Sequence, residues 1–222
     1  MKSLARSLIA AALIGAASNA SAVILNAGVL TPLPGTSVAM QPQLAGLVLE
    51  DLVQAFSFAA DGGTISGTVQ SRVVRSTLDG TLDFYWHVVS DTFSSGAMQS
   101  FRIDRFFTSQ YDADWRIDSL GNTAPINALL FANAFGQVNY EFGSQPGQGI
   151  APGAQSYFLM MDTDATHYAK TARYDLANMG QTEISQFYDT FAPSAIPEPA
   201  SAALLALGIA GIALSRRRKE KA

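Results

Sequence analysis

The feature that most constrains the fold of this chain is a pair of alternating segments on either side of Asp79-Gly80. From Thr64 onwards, apolar and polar residues alternate, and the apolar face carries Ile65, Val69 and Val73. After the dipeptide, one face carries Leu82, Phe84, Trp86 and Val88, and the other carries Asp83, Tyr85 and His87. Asp-Gly between two such segments is a strong hairpin signal, because tight hairpin turns require a positive φ that these residues tolerate. The sequence therefore predicts an antiparallel β-hairpin with Trp86 in the core.

Other short apolar segments follow, separated by Gly and Pro, and they are too short for helices. The expected strands are residues 101–107, 115–117, 137–142 and 157–161. The last of these is continuously apolar, which predicts a central strand buried on both faces. Residues 48–58 fit a strand or a helix, and we favour a strand; residues 143–153 are expected to form an exposed loop. Many short strands at regular spacing predict an all-β fold, an antiparallel β-sandwich with jelly-roll-like organisation.

The C-terminal end, residues 196–222, has three parts: Pro197-Glu198-Pro199, an uncharged segment from Ala200 to Leu214, and a basic cluster. As a helix the uncharged segment spans roughly 22 Å, whereas a bilayer core is about 30 Å thick. It can insert only with local thinning and with its arginines reaching the interface, which suits a temporary transmembrane helix. The two prolines hold the preceding backbone extended, in a form that a processing enzyme can bind.

These three parts resemble the PEP-CTERM sorting signal of Gram-negative bacteria. The motif residues are Pro197, Glu198, Pro199, Arg216, Arg217 and Arg218. The resemblance implies export, recognition by a membrane-embedded exosortase and removal of the tail, often alongside exopolysaccharide and biofilm matrix. Ile196 stands where Val is commoner in that family. The alternative is an ordinary C-terminal membrane anchor with two incidental prolines.

The N-terminal residues 1–22 have the organisation of a Sec-type signal peptide. Lys2 and Arg6 precede an apolar stretch at residues 8–17, and Ala20-Ser21-Ala22 is a small-residue site for signal peptidase, with cleavage expected after Ala22. Both apolar ends carry their positive charges on the side away from the central region. By the positive-inside rule, residues 23–195 are therefore expected to cross the inner membrane, with the tail as a transient anchor before delivery to the cell surface or the extracellular space.

The mature region, residues 23–195, is long enough for one domain with its own core. It contains 16 of the 18 acidic residues but only 7 of the 14 basic ones, so its net charge is −9. Such a domain repels nucleic acid and anionic lipid, and cations, neutral glycans or proteins are better partners. The chain has no cysteine, which excludes disulfides, thiol catalysis and Cys-ligated metals.

Parts of the mature region are also similar to a recurring group of PEP-CTERM ectodomains. The similar stretches are residues 67–75, 80–85 and 163–168, together with 191–193 just before the sorting signal. This resemblance supports the fold and implies no activity.

Catalytic patterns are sparse. The chain has two histidines, and His87 shares a strand face with Asp83, a spacing in which a carboxylate can orient an imidazole. The polar outer face of an antiparallel sheet gives the same pattern without any catalytic role, and we favour that interpretation. No serine occurs in a G-x-S-x-G motif, and Pro152 stands where a dinucleotide-binding loop would need a third glycine. We expect no catalytic residue and no enzyme activity.

Two Asp-x-Asp pairs are candidates for calcium, which prefers six to eight oxygen ligands. Asp112 and Asp114 lie near Asp118, and Asp162 and Asp164 follow the expected buried strand. Neither pair has the Gly and Glu positions of an EF-hand. We favour strand-end hydrogen bonds for both pairs, and therefore expect no metal or other cofactor. If one pair binds calcium, we expect Asp112 and Asp114.

Aromatic side chains raise the possibility of sugar binding. Tyr85, Tyr111 and Trp115 would form a stacking platform if they were exposed together, although core packing is the commoner role. The sequence thus favours a non-catalytic surface or extracellular-matrix protein, sorted by exosortase and associated with exopolysaccharide or biofilm. The alternative is a glycan- or calcium-binding module or, less favoured, a polysaccharide-active hydrolase.

Overall fold

The computed structural model describes residues 22–143, 145, 148–178 and 182–194. This part of the chain forms strands and one short 3-10 helix, η1, at Pro42–Leu44, with no α-helix. The strands are β1 (Val23–Ile24), β2 (Leu30–Pro32), β3 (Gly46–Ala60), β4 (Gly63–Ser76), β5 (Leu82–Ser90), β6 (Ser100–Asp104), β7 (Asp112–Trp115), β8 (Asn127–Leu130), β9 (Val138–Glu141), β10 (Leu159–Asp162), β11 (Tyr168–Ala177) and β12 (Tyr188–Pro193).

The strands form two six-stranded sheets. The first sheet has the order β1-β7-β10-β5-β4-β3, and the second has the order β12-β11-β6-β9-β8-β2. Neighbouring strands pair antiparallel throughout both sheets. The all-β class with two antiparallel sheets is thus confirmed, while jelly-roll-like organisation stays a prediction.

One hydrophobic core lies between the sheets and takes side chains from both. Trp86 of β5 is 1% exposed, as predicted, and packs edge-on against Phe106 at 5.8 Å between ring centroids. Its indole nitrogen donates a hydrogen bond to the Thr190 hydroxyl of β12, 2.9 Å away. Burial of these large side chains supplies the stability that a chain without disulfides needs.

The predicted hairpin is present. β4 and β5 pair antiparallel, with Val69 opposite Val88 and Val73 opposite Phe84, and Gly80 takes a positive φ of 80° in the connecting turn. The strand expected at 157–161 is β10, which begins two residues later, at Leu159, and ends at Asp162. It is central, between β5 and β7, and Leu159, Met160 and Met161 are buried, as predicted. The ambiguous segment 48–58 lies within β3, which confirms the preference for a strand.

Two sequence interpretations need correction. The strand expected at 115–117 is β7, which begins three residues earlier, at Asp112, and ends at Trp115. The face of β5 that carries Asp83, Tyr85 and His87 is not a solvated outer face, because these side chains are 1%, 3% and 5% exposed. A second apolar cluster covers that face, and it includes Leu44 of η1 and, at its margin, Val38. Segment 33–45 therefore covers part of the outer face of the first sheet.

The predicted signal peptide before Ala22 and the predicted transmembrane helix and basic cluster lie outside the described residues. Ala22 itself is buried in the second cluster, at 4% exposure. In the part of the chain that the structure describes, no helix is long and apolar enough to cross a membrane.

Candidate functional sites on the outer face of the first sheet

Three aspartates form a row across neighbouring strands on the outer face of the first sheet. Asp162 of β10 lies directly opposite Asp83 of β5 on one side and Asp112 of β7 on the other. Directly opposite residues of an antiparallel pair point to the same face. We call Asp83, Asp162 and Asp112 the carboxylate row. Like charges in directly opposite positions repel, so three ionised carboxylates in this row would destabilise the sheet.

Asp83 is the most deeply buried member of the row, at 1% exposure. Within the described residues, no N–H or hydroxyl group donates a hydrogen bond to either carboxyl oxygen of Asp83. Oδ1 of Asp112 also lacks such a donor. The polar contact of Asp83 is with the Asp162 carboxyl, an interaction that requires a proton between two acidic groups. Asp162 in turn is hydrogen-bonded by the Gln43 side chain.

Burial raises the pKa values of these carboxyls. It raises the pKa of Asp83 to about 9, with a further contribution from the Asp162 charge. Burial, together with the charges of Asp162 and Asp114, raises the pKa of Asp112 to about 7. The pKa of Asp162 is also raised, chiefly by burial. The row is therefore a place where negative charge is costly unless a proton or a cation compensates for it.

A cavity of about 300 Å³ opens beside the row, at the end of the sheet that carries the β4–β5 turn. We call it the acidic cavity. All of its lining side chains carry oxygen: Asp79, Thr81, Ser109, Gln110, Asp112, Asp162, Thr163 and Asp164. Ser109 and Asp164 also line a neighbouring depression with Pro193 and Ser194, where β12 ends. The described residues contain no group of three or more His, Asp or Glu side chains that could hold a metal ion.

The two Asp-x-Asp pairs considered for calcium do not form two separate sites. One aspartate of each pair, Asp112 and Asp162, lies beside the other instead. Asp114 accepts hydrogen bonds from the backbone N–H groups of Gly35 at 2.8 Å and Trp115 at 2.9 Å. Asp118 accepts from the Arg116 guanidinium at 2.7 Å and from the Val38 N–H at 2.9 Å. Both therefore have the backbone-bonding role favoured from the sequence. Asp112 instead meets Asp162, because β7 and β10 pair in this register.

A second concavity lies on the same face, beyond Tyr85 and Met160. It is a cleft of about 500 Å³, which we call the arginine cleft, lined by Gln70, Arg72, Val74, Tyr85, Arg116, Asp118, Ser119, Leu120 and Phe158. The Arg72 guanidinium lies over the Phe158 ring, 5.0 Å from its centroid, and donates to Asp51 at 2.8 Å. Arg116 lies over the Tyr85 ring at 5.7 Å and also contacts the Tyr85 hydroxyl at 3.4 Å.

His87 lies beneath this cleft. The Asp83 carboxylate does not orient its imidazole, which is the catalytic arrangement that the spacing of the two residues allowed. Its ring stacks on Phe158, with centroids 4.9 Å apart. Its Nε2 atom is buried, with no hydrogen bond among the described residues. Burial lowers the pKa of His87 in spite of a hydrogen bond with the Gln155 side chain, so the neutral ring is favoured.

The three aromatic residues considered for sugar stacking do not form one platform. Tyr85 is 3% exposed on the outer face. Trp115 packs against the core between the sheets and donates its indole N–H to the Leu33 carbonyl at 3.3 Å. Tyr111 packs beside the same core and donates its hydroxyl to the Phe106 carbonyl at 2.8 Å. The guanidinium groups of the arginine cleft are not recognisable as a site in the sequence, because Arg72 and Arg116 are 44 residues apart and only sheet pairing brings them together.

The described domain is an all-β domain of two antiparallel sheets, with two concave polar sites on one outer face. Residues 195–219, just after the described part, match the PEP-CTERM protein-sorting motif. The chain therefore carries this sorting signal, as the resemblance predicted, and the motif implies export and processing by exosortase. No curated protein and no solved structure is significantly similar to the chain.

Proposed function

We propose that this chain is a non-catalytic surface or matrix protein whose mature domain binds extracellular polysaccharide through the arginine cleft. The sorting motif at residues 195–219 supports the route: export, transient membrane attachment and processing by exosortase. The observation that carries the binding function is the cleft itself. Its volume of about 500 Å³ lies in the range of small-molecule sites.

The chemistry of the cleft suits sugar hydroxyls. Arginine presents several fixed N–H donors, and Arg72 and Arg116 are both held in place by aromatic rings and by acidic partners. The Arg72 Nε–H is buried and makes no hydrogen bond among the described residues. Because Asp51 and Asp118 balance the two guanidinium charges, the cleft fits a neutral or weakly charged glycan better than a polyanion.

The polysaccharide-active hydrolase is the second candidate. Asp112 and Asp162 are two carboxyls that line one cavity, which a glycosidase requires. The acidic cavity, however, has no aromatic residue in its lining on which a sugar ring could stack. The arginine cleft has no second carboxyl opposite Asp118 in its lining. Binding without cleavage is therefore the function that we favour.

Affinity electrophoresis in gels that contain exopolysaccharide from the producing cells tests the binding function. Loss of charge-assisted hydrogen bonds in Arg72→Ala is expected to weaken binding about 10- to 100-fold. Arg173→Ala is the matched control, because Arg173 also pairs with an aspartate and lies over an aromatic ring, but on the second sheet. Equal retardation of the wild-type protein and Arg72→Ala would contradict the proposed cleft.

A reducing-end assay separates binding from hydrolysis. Polysaccharide incubated with the wild-type protein is expected to gain no reducing ends over a buffer control. An increase that Asp162→Asn abolishes would overturn the non-catalytic function and favour the hydrolase.

A further inference from the structure

The outermost strand of the first sheet, β3, has an unpaired edge. It is 15 residues long, whereas most strands have about 3–10 residues, and it pairs with β4 along one edge only. From Leu52 to its end β3 has no charged residue, and it contains neither Pro nor Lys, which commonly protect such edges. An edge of this kind offers a row of backbone N–H and C=O groups to another strand.

A contact with the second sheet shows which backbone groups of β3 face outward. The Ser57 N–H donates to the Tyr188 hydroxyl of β12 at 3.3 Å, so it points away from β4. In an antiparallel pair, outward-pointing groups recur at every second residue. Because the register of β3 and β4 is regular here, the backbone groups of Asp51, Val53 and Ala55 also point outward. None of these groups makes an outward hydrogen bond in the described part of the chain.

We call residues 51–55 the open edge. It lies between two contacts with the second sheet: the Tyr188 contact on its C-terminal side and, on its N-terminal side, a hydrogen bond from the Tyr168 hydroxyl to the Glu50 carboxylate at 2.9 Å. Val53, at the middle of the open edge, is 59% exposed. The open edge therefore combines unsatisfied backbone groups with an exposed apolar side chain, and an extended strand satisfies both.

The charges at the open edge allow a second copy of the chain to approach, although the mature region has a net charge of −9. Asp51 is the one charged residue of this segment, and its carboxylate is paired with the Arg72 guanidinium at 2.8 Å. In a two-fold antiparallel pair centred on Val53, Val53 lies opposite its own copy and Asp51 lies opposite Ala55 of the second copy. This register uses all three outward-facing residues and keeps the two aspartates apart.

We propose that two copies of this chain pair antiparallel through the open edges of their β3 strands, so that their first sheets join into one continuous sheet. A two-fold contact of this kind is closed, because the same surface is used on both copies. Residues directly opposite each other share a face, so the outer faces of both first sheets lie on one side of the dimer. The pairing does not depend on the proposed glycan function, but it gives that function two arginine clefts on one face.

A single engineered thiol tests the pairing, because the chain contains no cysteine. Val53→Cys is expressed as the full chain in the producing cells, oxidised and analysed by non-reducing gel electrophoresis. In the proposed register the two Cα atoms at this position lie about 5.5 Å apart, which suits a disulfide. Val29→Cys is the matched control, because Val29 has a similar exposure of 50% but lies outside β3. The dimer fraction of Val53→Cys is expected to be roughly tenfold larger than that of the control.

Two changes at Ala55 test the register and the backbone hydrogen bonds. In Ala55→Cys the two thiols are four residues out of register, roughly 14 Å apart, so little dimer is expected. Ala55→Pro in the Val53→Cys chain removes an outward N–H and keeps the hydrogen bonds to β4. It is therefore expected to reduce the dimer fraction roughly tenfold.

Equal dimer fractions in Val53→Cys and Val29→Cys would overturn the proposal, and so would a Val53→Cys dimer that Ala55→Pro does not reduce. If Ala55→Pro fails to fold, Ala55→Cys decides the matter, because a dimer fraction as large as that of Val53→Cys would contradict the register. Disulfide adducts of Val53→Cys with a mass other than that of the dimer, in place of it, would assign the open edge to a different protein.

Discussion

The indole nitrogen of Trp86 lies 2.9 Å from the hydroxyl oxygen of Thr190 and donates a hydrogen bond to it across the core. Trp86 is on β5 of the first sheet and Thr190 is on β12 of the second, so this bond joins the two sheets. The Thr190 hydroxyl donates onward to Ser71 of β4 at 3.1 Å. This buried polar contact fixes how the two apolar faces lie against each other.

Replacement of Thr190 by valine tests this contact. The change keeps the shape of the side chain but leaves the buried indole N–H without an acceptor, which costs about 1–3 kcal/mol of unfolding free energy. Urea denaturation measures the loss. Thr166→Val, at an exposed loop position, is the control and is expected to change stability by less than about 0.5 kcal/mol. Equal stability of the two variants would show that the bond contributes nothing.

Gly35 provides a test of close packing at the edge of the first sheet. Its φ is +82°, and an added Cβ would lie 2.5 Å from Cζ2 of Trp115. Gly35→Ala therefore combines backbone strain of about 1–2 kcal/mol with overpacking of about 1–3 kcal/mol. Gly62→Ala is the matched control, because φ is +69° there but nothing lies within 4 Å of the added atom. Chemical denaturation is expected to show a clearly larger loss for Gly35→Ala, and equal losses would refute the steric contribution.

The buried His87 makes stability depend on pH. Burial lowers its pKa in the folded protein, whereas the unfolded chain binds a proton near the usual value of about 6.5. The unfolded state therefore holds more protons in weak acid, and the contribution of His87 to stability is lost as the pH falls below about 6.5. The carboxylate row acts in the opposite direction, so the test is the difference between variant and wild type: between pH 7.5 and 5, the melting temperature of His87→Gln minus that of the wild type is expected to increase as the pH falls. His167→Gln, at an exposed histidine, is expected to follow the wild-type profile.

Processing of the tail is tested by the mass of the protein. In cells with exosortase, the recovered protein is expected to lack the residues after the Pro197-Glu198-Pro199 motif. Deletion of residues 216–219 removes the basic cluster that is predicted to hold the tail at the membrane, and unprocessed precursor is expected to accumulate relative to the wild type. Mass spectrometry of membrane and medium fractions distinguishes the forms. Uncut wild-type chain as the stable product would contradict processing.

Local signals in the sequence were enough to predict the hairpin. The Asp79-Gly80 turn and the alternation around it depend on neighbouring residues only, and β4 and β5 have the expected pairing. Strands β1, β2, β8, β11 and β12 were not predicted, because most are short and β11 has an irregular register near Ala169. Segment 33–45 has no helical or strand periodicity, so its position over the outer face was not visible in the sequence.

The candidate sites depend on pairing between distant parts of the chain. Asp112 and Asp162 were recognised as acidic motifs, but their meeting follows from the register of β7 and β10, fifty residues apart in sequence. Burial of Asp83 likewise depends on residues far from β5. A single sequence shows which side chains have suitable chemistry, whereas long-range strand register decides which of them share a site.

If the C-terminal tail inserts in a membrane as predicted, the end of β12 at Pro193 limits the distance between the folded domain and the lipid. The predicted transmembrane segment begins at Ala200, seven residues after Pro193, and a fully extended chain of that length reaches only about 24 Å. If the tail inserts as the sequence predicts, the depression beside Pro193, and the acidic cavity next to it, lie at the membrane-proximal end of the domain. Processing after the Pro197-Glu198-Pro199 motif would then remove this restriction and open the cavity to the surrounding medium.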